Sequence, residues 1–160
     1  MTDHKLGLEP MSEQQLLLMT NWFNSEAELR QWAGPNFRFP YSPSSFIQDL
    51  DTQKLPSFGL FDQHKNLVGF GQYYHRLDRC HLARLVVNPS YRGKGYSQPL
   101  ITQLMEIARI DMGFSDVSLF VLAGNQPAIK CYQKLGFKLC EYPGENPLPD
   151  CLFMILESSQ

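Results

Sequence analysis

The chain has 160 residues, of which 43% are hydrophobic and 19% are charged, and its formal net charge is −2. This length and composition are typical of one globular domain that buries its own core. A net negative charge argues against a nucleic-acid partner, because proteins that bind nucleic acid usually neutralise its phosphates with a broad basic face. No nucleic acid is therefore expected as a partner.

The cysteine pattern and the N-terminal residues bear on the compartment of the protein. Cys80, Cys131, Cys140 and Cys151 form no CxxC pair, and no Cys/His cluster has metal-ligand spacing, so no metal is expected. Reduced, mostly buried cysteines in the cytosol are the favoured interpretation. The start MTDHKLGLEP lacks the apolar stretch of a signal peptide, and no apolar run is long enough to span a bilayer. The sequence predicts a cytoplasmic protein with no membrane partner.

The first third of the chain predicts one short strand followed by helices. The segment HKLGLEPM fits the strand. The patterns SEQQ from Ser12 and SEAE from Ser25 have the spacing of a helix capping box, so each predicts a helix, and Gly34 ends the second. An aromatic loop, NFRFPYSP, follows. Pro43 suits the first turn of a third helix that continues to Leu50.

The middle of the chain changes to strands. Residues 57–62 and 67–75 are apolar runs separated by a short polar turn, and they predict a β-hairpin. After a second turn, RLDR, residues 80–87 form a third strand, whose residues alternate between two faces. One of these faces is made of His81, Ala83, Leu85 and Val87, and the other of Leu82, Arg84 and Val86.

A glycine loop, NPSYRGKGYSQPL, joins this strand to a helix with an apolar stripe from Leu100 to Ala108. Gly93 and Gly95 let the backbone come close to an anion, and a helix N-terminus offers unpaired N–H groups and a partial positive charge. These features indicate a phosphate-type site. The alternative is a plain strand-to-helix turn with solvated charges, because short glycine motifs often occur by chance and neither the P-loop nor the dinucleotide pattern is present.

The last third contains a strand over residues 115–122, then a helix capped by Asn125 with Pro127 in its first turn, then two strands, FKLCEY and CLFMILE. If the strands on either side of the glycine-loop helix are parallel neighbours, they form a right-handed βαβ crossover in a mixed sheet. The fold class is therefore α/β, or α+β in looser usage, with about six to seven strands flanked by helices.

The glycine loop and the segment NQPAIKCYQKLGF, in this order and on these elements, resemble the GNAT superfamily of N-acetyltransferases. The family's R/Q-x-x-G-x-G/A segment corresponds to RGKGYS, in which Ser97 stands where glycine or alanine is usual. The resemblance covers roughly residues 58–156. It implies a single GNAT-type domain over 1–160, with a cofactor-binding core at 57–157 and an N-terminal helical part, 1–55, that borders the acceptor site.

The resemblance implies that acetyl-CoA is the acyl donor. The strand before the loop would pair with the pantetheine arm, and the N–H groups of the loop would hold the pyrophosphate. Asn125 and Ala128 would contact the cofactor at the start of the second helix. The cofactor-binding residues that the resemblance implies are Leu85, Val86, Val87, Arg92, Gly93, Lys94, Gly95, Tyr96, Ser97, Gln98, Asn125, Ala128 and Tyr132.

Two residues are candidates for catalysis. Tyr132 matches the family's tyrosine near the cofactor sulfur, which acts as a general acid toward the leaving thiolate. The attacking amine has an ordinary pKa of about 10.4, so a base or a water chain has to remove its proton. Where many relatives carry a glutamate, this chain has His81, which is the candidate base. Asp78, Glu141 and a bound water are further options, and a sheet-face histidine without a catalytic role is the alternative.

The segment QWAGPNFRFPY is the candidate border of the acceptor pocket. It concentrates aromatic side chains around Arg38, which would suit a substrate with an apolar part and a carboxylate; ordinary core and loop aromatics are the alternative. The aromatic residues are Trp32, Phe37, Phe39 and Tyr41, and Tyr73, Tyr74 and His75 raise the same question.

The function implied by the resemblance is that of an acyltransferase, an N-acetyltransferase that moves an acetyl group from acetyl-CoA to a primary amine. The acceptor would be a small molecule, a peptide or a protein, attacked directly in a ternary complex, and the sequence does not identify it. One alternative is a non-catalytic acyl-CoA-binding or regulatory module on the same fold. Another is a nucleotide-phosphate binder of a different family. The resemblance also allows a homodimer.

Overall fold

The structure is a computed structural model that describes residues 6–158. Its strands form one mixed sheet in the order β1-β2-β3-β4-β5-β7-β6. This arrangement confirms the predicted fold class and strand number. The elements are β1 (Gly7–Pro10), α1 (Glu13–Leu17), a 3-10 turn (Leu18–Asn21), α2 (Glu26–Ala33), α3 (Pro43–Leu50), β2 (Ser57–Phe61), β3 (Leu67–Arg76), β4 (Arg79–Val87), a 3-10 turn (Pro89–Tyr91), α4 (Ser97–Met112), β5 (Val117–Leu122), α5 (Gln126–Lys134), β6 (Lys138–Cys140) and β7 (Cys151–Leu156). The first strand was predicted from His4, and residues 4 and 5 lie outside the described residues.

Each of the three N-terminal helices begins at a capping serine, and the serines of the first two were predicted. The Ser12 hydroxyl accepts from the Gln15 N–H at 3.2 Å, and the Gln15 side chain accepts from the Ser12 N–H at 2.9 Å. Ser25 and Ser42 cap α2 and α3 with their hydroxyls in the same way. Gly34 ends α2 with a φ of 87°, in the left-handed region that favours glycine. Local capping chemistry therefore fixes where these helices start and stop.

The chain divides into two compact units. Unit 1 contains the described residues up to 72 together with 84–104, and unit 2 contains 73–83 together with the described residues from 105 onward. The boundary between the units cuts both β3 and β4. The expectation of a single domain over 1–160 stays a prediction.

The core of unit 1 lies between the N-terminal helices and the sheet. Buried side chains of α1 to α3 pack with Phe70 of β3 and Val86 of β4. Each fully buried large apolar side chain contributes roughly 1.5–3 kcal/mol to stability. A Cβ added at Gly71 would come within 2.7 Å of a Leu104 methyl and 2.9 Å of a Leu85 methyl. The absence of a side chain at Gly71 thus lets α4 lie close to the backbone of β3.

The sheet of unit 2 contains the parallel pair predicted around the glycine-loop helix. β4 and β5 pair in parallel from Cys80 opposite Val117 to Leu82 opposite Leu119. β5 and β6 each pair with β7 in the antiparallel sense. Because α4 connects β4 to β5, the predicted βαβ unit is confirmed.

Two details of the sequence analysis are wrong. Arg84 has a φ of 51°, so the extended backbone of β4 is interrupted and the predicted alternation fails at this residue. The cysteines are free, as predicted, but they are not mostly buried: Cys80 is buried, Cys140 is exposed, and Cys131 and Cys151 are half-buried.

Residues 6–158 contain neither a membrane-spanning helix nor a metal-binding cluster. None of the helices there is long and apolar enough to cross a bilayer. The same residues contain no group of three or more His, Cys, Asp or Glu side chains that could hold a metal ion.

Candidate functional site

The glycine loop between β4 and α4 presents main-chain N–H donors. Gly93 and Gly95 have φ values of 76° and 83°, and a Cβ at either would have no heavy atom within 4 Å. Within the described residues, no protein acceptor takes a hydrogen bond of good geometry from the N–H groups of Gly93, Lys94, Gly95 or Tyr96. These donors precede the 16-residue α4, whose N-terminus adds partial positive charge. The loop is therefore suited to an anion.

Asn88 anchors the start of this loop. Its side-chain amide donates to the Leu67 carbonyl at 2.9 Å, and its side-chain oxygen accepts from the Ser90 N–H at 3.0 Å. Further along, the rings of Tyr91 and Tyr96 meet edge to face at 5.8 Å. These contacts hold the loop in shape without using the donors from Gly93 to Tyr96. Sequence analysis did not identify Asn88, although an asparagine before a proline is a known turn signal.

The charged side chains of the loop remain near its surface. Arg92 and Lys94 are exposed. The Lys94 ammonium lies 5.6 Å from the centre of the Tyr91 ring, within the range of a cation–π interaction. Ser97 is the first residue of α4 and is half-buried, and Gln98 is exposed. The loop that presents the N–H donors therefore also carries two exposed positive side chains.

The strand residues predicted to pair with pantetheine follow an irregularity in β4. Leu85 and Val87 are half-buried and Val86 lies in the core of unit 1. Just before them, the carbonyl of Arg84 accepts from the indole N–H of Trp32 at 2.7 Å. This bond binds α2 to β4 at the residue whose φ is positive.

The second motif residues lie on α5 in unit 2. Asn125 precedes α5, and its side-chain oxygen accepts from the Ala128 N–H at 3.4 Å, so Asn125 acts as the helix cap. Tyr132 is half-buried, with its ring 5.9 Å from that of Phe137, and burial raises the pKa of its phenol. Within residues 6–158, the Tyr132 hydroxyl hydrogen-bonds to no protein group.

His81 lies deep in unit 2 and is only 2% exposed. Its Nδ1 and the Ser118 hydroxyl form a hydrogen bond of 2.8 Å between paired positions of β4 and β5. Aromatic rings of Tyr74, Phe120 and Phe153 surround the imidazole. Burial, and secondarily the charge of Arg76, lowers the pKa of His81 to about 3. These surroundings favour the alternative of a sheet histidine without a catalytic role, and the assignment of His81 as the base stays a prediction.

Most aromatic side chains of the segment QWAGPNFRFPY, which was predicted to border the acceptor, pack in the core of unit 1 or against it. Trp32 stacks on Phe23 with ring centres 4.4 Å apart, and Phe37 is buried. The guanidinium of Arg38 binds the Asp49 carboxylate through two nitrogens, at 2.9 and 3.1 Å. Arg38 holds the pKa of Asp49 below its usual range by this hydrogen bonding. The alternative of core and loop aromatics therefore fits this segment better than an acceptor wall. Tyr41 is half-buried and its hydroxyl donates to the Thr20 carbonyl; Phe39 is 38% exposed.

The aromatic residues of β3 differ from one another. Tyr73 is buried, and its hydroxyl donates to Asp111 at 2.7 Å; burial and this bond raise the pKa of Tyr73. His75 is exposed and stacks on Phe114. Tyr74 is half-buried and accepts two hydrogen bonds from Arg76, at 3.3 and 3.0 Å.

The predicted site residues fall into two groups by unit. Leu85 to Val87 and the loop from Arg92 to Gln98 belong to unit 1, whereas His81, Asn125, Ala128 and Tyr132 belong to unit 2. The sequence RLDR predicts only a turn and gives no sign of the groups around its two arginines. It likewise gives no sign of Tyr142, whose hydroxyl accepts from Arg76 at 2.8 Å.

A family model described as Acetyltransferase (GNAT) family matches residues 26–137. The match includes both the glycine loop and α5, and covers more than half of the chain. The chain belongs to the GNAT acetyltransferase family, which confirms the family predicted from the sequence.

Curated relatives agree with this assignment. A thialysine N-epsilon-acetyltransferase of Sus scrofa is 32% identical over 101 residues, which cover 60% of this chain and 58% of that protein. An uncharacterized N-acetyltransferase of Schizosaccharomyces pombe is 32% identical over 81 residues, 51% of this chain and 49% of that protein. The chain thus spans about half the length of these relatives.

The fold is shared with solved acetyltransferases. Spermidine N-acetyltransferase from Vibrio cholerae, in complex with CoA and spermine, superposes with a TM-score of 0.74 at 19% identity, over 96% of both chains. The PaiA N-acetyltransferase from Thermoplasma acidophilum, in complex with coenzyme A, has a TM-score of 0.70 at 20% identity, over 96% of this chain and 99% of that one. At these identities the likeness establishes the fold.

Proposed function

We propose that the protein transfers the acetyl group of acetyl-CoA to a primary amine. The observation that carries this proposal is the row of N–H donors from Gly93 to Tyr96, which have no protein acceptor among the described residues and precede α4. In a member of the GNAT acetyltransferase family, the anion that suits them is the pyrophosphate of CoA. The named activities of the relatives, on spermidine and thialysine, support an amine acceptor.

Acetyl-CoA would be held mainly by main-chain groups. The N–H groups of the loop would bind the pyrophosphate oxygens, and Arg92 and Lys94 would add charge at the surface. Leu85, Val86 and Val87 would pair with the amides of the pantetheine arm. Asn125 and Ala128 would contact the donor at the start of α5, where the side chain of Ala128 is small.

The reaction would be a direct attack in a ternary complex. The neutral amine forms a bond to the thioester carbonyl carbon, a tetrahedral intermediate collapses, and the C–S bond breaks to release the CoA thiolate. Tyr132 would donate its phenolic proton to that thiolate, since its hydroxyl has no protein partner among the described residues. A main-chain N–H of β4 would stabilise the oxyanion of the intermediate.

The proton lost by the amine needs an acceptor. A pKa near 3 makes His81 a weak base, and its imidazole nitrogen Nδ1 is already bonded to Ser118. We therefore assign deprotonation of the amine to water at the site, with His81 in a structural role. The non-catalytic acyl-CoA-binding module remains the second candidate function, because no described side chain is an obvious base.

The decisive experiment incubates the protein with acetyl-CoA and a panel of primary amines, and follows release of the CoA thiol. We expect amine-dependent release. Thermal unfolding tests the donor site separately, since acetyl-CoA at 100 times its Kd should stabilise the protein by about 2.7 kcal/mol. Binding without release, across a broad panel, would favour the non-catalytic module. A lack of any stabilisation by acetyl-CoA would contradict both candidates.

Two variants assign the roles of the loop and of Tyr132. Gly95→Ala should raise the KM for acetyl-CoA, because a φ of 83° strains any side chain and displaces the loop. Gly113→Ala is the matched control, with a φ of 78°, equally open space, and a position at the other end of α4. Tyr132→Phe should lower kcat about 100-fold or more while acetyl-CoA binding persists.

A further inference from the structure

Two arginines stand opposite each other at the turn between β3 and β4. β3 ends at Arg76 and β4 begins at Arg79, and the two residues between them, Leu77 and Asp78, have φ values of 52° and 58°. Two left-handed residues in a two-residue loop are the mark of a type I′ hairpin turn. In such a hairpin, the residues that flank the loop are direct cross-strand neighbours.

Both arginine side chains belong to the same face of this hairpin. Residues two apart in a strand share a face, which groups Arg76 with Tyr74 and Arg79 with His81. The rings of Tyr74 and His81 lie 5.1 Å apart, so the two pairs are on one side. Like charges directly opposite each other destabilise a hairpin. A bound anion would remove this repulsion.

The guanidinium of Arg76 is half-buried among neutral groups. It donates to the hydroxyl of Tyr74 and, at 2.8 Å, to the hydroxyl of Tyr142. Its central carbon lies 5.1 Å from the centre of the Phe120 ring. Across residues 6–158, no carboxylate forms an ion pair with Arg76. The charge of Arg76 is thus surrounded by rings and phenols, with no anion to balance it.

The guanidinium of Arg79 has fewer hydrogen-bond partners than that of Arg76. Its Nε is buried and has no hydrogen-bond partner among the described residues, and one of its terminal nitrogens reaches the Leu77 carbonyl only at 3.5 Å. A buried donor left unpaired costs about 1–3 kcal/mol, and more when it is charged. The adjacent acid, Asp78, forms no ion pair with Arg79 among the described residues; its carboxylate lies 3.1 Å from Nε2 of His75, and that nitrogen also accepts from the Asp78 N–H at 3.2 Å. The hairpin therefore holds two guanidinium groups whose donors are incompletely used.

We propose that Arg76, whose guanidinium contacts Tyr74 and Tyr142, and Arg79, opposite it on the hairpin, bind a carboxylate group of the amine acceptor. A carboxylate is the planar anion that matches the fork of a guanidinium, and the rings offer apolar contact to the carbon atoms beside it. The proposal rests on the acetyl-transfer function proposed above. It narrows the acceptor to amines that also carry a carboxylate, such as free amino acids. It also places carboxylate recognition away from Arg38, which is already bound to Asp49.

The test compares amino acids with the amines that differ from them only by loss of the carboxylate. Lysine is paired with cadaverine, and ornithine with putrescine, with acetyl-CoA saturating in every assay. We expect kcat/KM to be at least about 10-fold higher for the amino acid of each pair, because a site built for a polar group discriminates against its absence. Arg76→Gln should lower kcat/KM for lysine about 10- to 100-fold and leave cadaverine nearly unchanged.

Further variants keep the test independent of folding defects. Arg79→Gln should act in the same direction as Arg76→Gln, and Arg76→Lys should recover only part of the preference, because an ammonium lacks the planar fork. Arg30→Gln is the matched control: Arg30 lies on α2, is exposed and pairs with Glu26, so its loss should change neither substrate. Thermal unfolding of each variant confirms that it is folded.

The outcomes separate this proposal from the function on which it rests. Equal kcat/KM within each pair, or a preference that survives in both glutamine variants, would overturn the carboxylate site and leave acetyl transfer standing. No CoA release with any amine would instead contradict the acetyl-transfer function, and the acceptor site with it. In that case, stabilisation by glutarate that is lost in Arg76→Gln would identify a site for a separate small anion, which also overturns the acceptor assignment.

Discussion

The protein contains two pairs of arginines, each with one guanidinium against an aromatic ring, and the pairs differ in what their guanidinium groups donate to. In unit 1, Arg38 binds the carboxylate of Asp49, and Arg84 donates to backbone carbonyls and to a glutamine side chain. In unit 2, Arg76 donates to two phenols, and the buried Nε of Arg79 has no partner among the described residues. The difference teaches that an arginine among rings is not in itself a ligand site. A structural arginine differs from one that can bind a ligand in that its N–H donors are already occupied by strong acceptors within the protein.

The largest expected effect concerns His81, whose pKa is lowered by burial and secondarily by the charge of Arg76. The folded protein holds this pKa near 3, against an ordinary value of about 6.5, so as pH falls the unfolded chain takes up the proton first. The free energy of unfolding should therefore decrease by up to about 1.4 kcal/mol per pH unit between about pH 6 and pH 3. Urea unfolding at a series of pH values measures this slope.

Variants of His81 and Arg76 show whether the slope comes from this pair. His81→Gln should remove that part of the slope. Arg76→Gln should raise the pKa of His81, since one charge that opposes protonation is lost; NMR titration of the imidazole measures it. An unchanged His81 pKa in Arg76→Gln would contradict the view that the charge of Arg76 is left uncompensated.

The next effect is the loss of the satisfied arginine of β4. Arg84→Ala should lower the free energy of unfolding by about 2–3 kcal/mol, because the carbonyls of Asp49 and Leu50 lose a charged donor. Arg84→Gly should recover about 1 kcal/mol of this loss, because glycine adopts the positive φ without strain. Chemical denaturation of the two variants and the parent protein measures both the loss of stability in Arg84→Ala and its partial recovery in Arg84→Gly. Equal stability of the alanine and glycine variants would show that the backbone at Arg84 is unstrained.

A smaller effect is expected for the incompletely paired arginines. Arg76→Gln should change the free energy of unfolding by less than about 1 kcal/mol, because the half-buried phenols of Tyr74 and Tyr142 can turn to water. Arg79→Gln should be neutral or stabilising, since it removes a buried donor without a partner. The same denaturation experiment measures both. If Arg76→Gln lowered the free energy of unfolding as much as Arg84→Ala does, Arg76 would be a structural residue, and the proposed difference between the arginines of the two units would be contradicted.

The smallest effect belongs to the ion pair of Arg38 and Asp49 in unit 1. Arg38 depresses the pKa of Asp49, so the stability it contributes is present above the ordinary pKa of aspartate, about 3.9, and is lost as pH falls through the lower folded value. Arg38→Gln should therefore be slightly less stable than the parent at pH 7 and equal to it in strong acid. High salt should also reduce the difference at pH 7. A difference that persists in acid would show that Arg38 stabilises the fold by packing rather than by charge.

Much of the fold was predictable because its signals are local. The capping patterns at Ser12 and Ser25 depend on contacts three residues apart, and α1 and α2 begin there. The glycine loop was predictable for the same reason, since Gly93 and Gly95 need their positive φ whatever the distant contacts are. Family membership followed because two such local motifs occur in a fixed order.

The rest depended on contacts that no local pattern encodes. The positive φ of Arg84 accompanies a bond from Trp32, 52 residues earlier in the chain. The low pKa of His81 comes mainly from burial against β5 and β7, which follow it in the chain. The type of the turn RLDR could not be predicted from its residues for another reason. A two-residue type I′ loop usually contains asparagine and glycine, and here it contains leucine and aspartate. Without that signal, the sequence did not show that Arg76 and Arg79 face each other.

The exposed thiol of Cys140 provides a fluorescent reporter position. Cys140 ends β6, two residues before Tyr142, whereas Cys80 is buried and burial raises the pKa of its thiol, which slows its reaction with a dye. A maleimide dye on Cys140 would therefore sit near the tyrosine that frames Arg76. Its emission would follow the arrival of a carboxylate in real time, with no turnover required. A molecule that binds the hairpin without being acetylated, which an assay of CoA release would miss, would then be visible as an inhibitor.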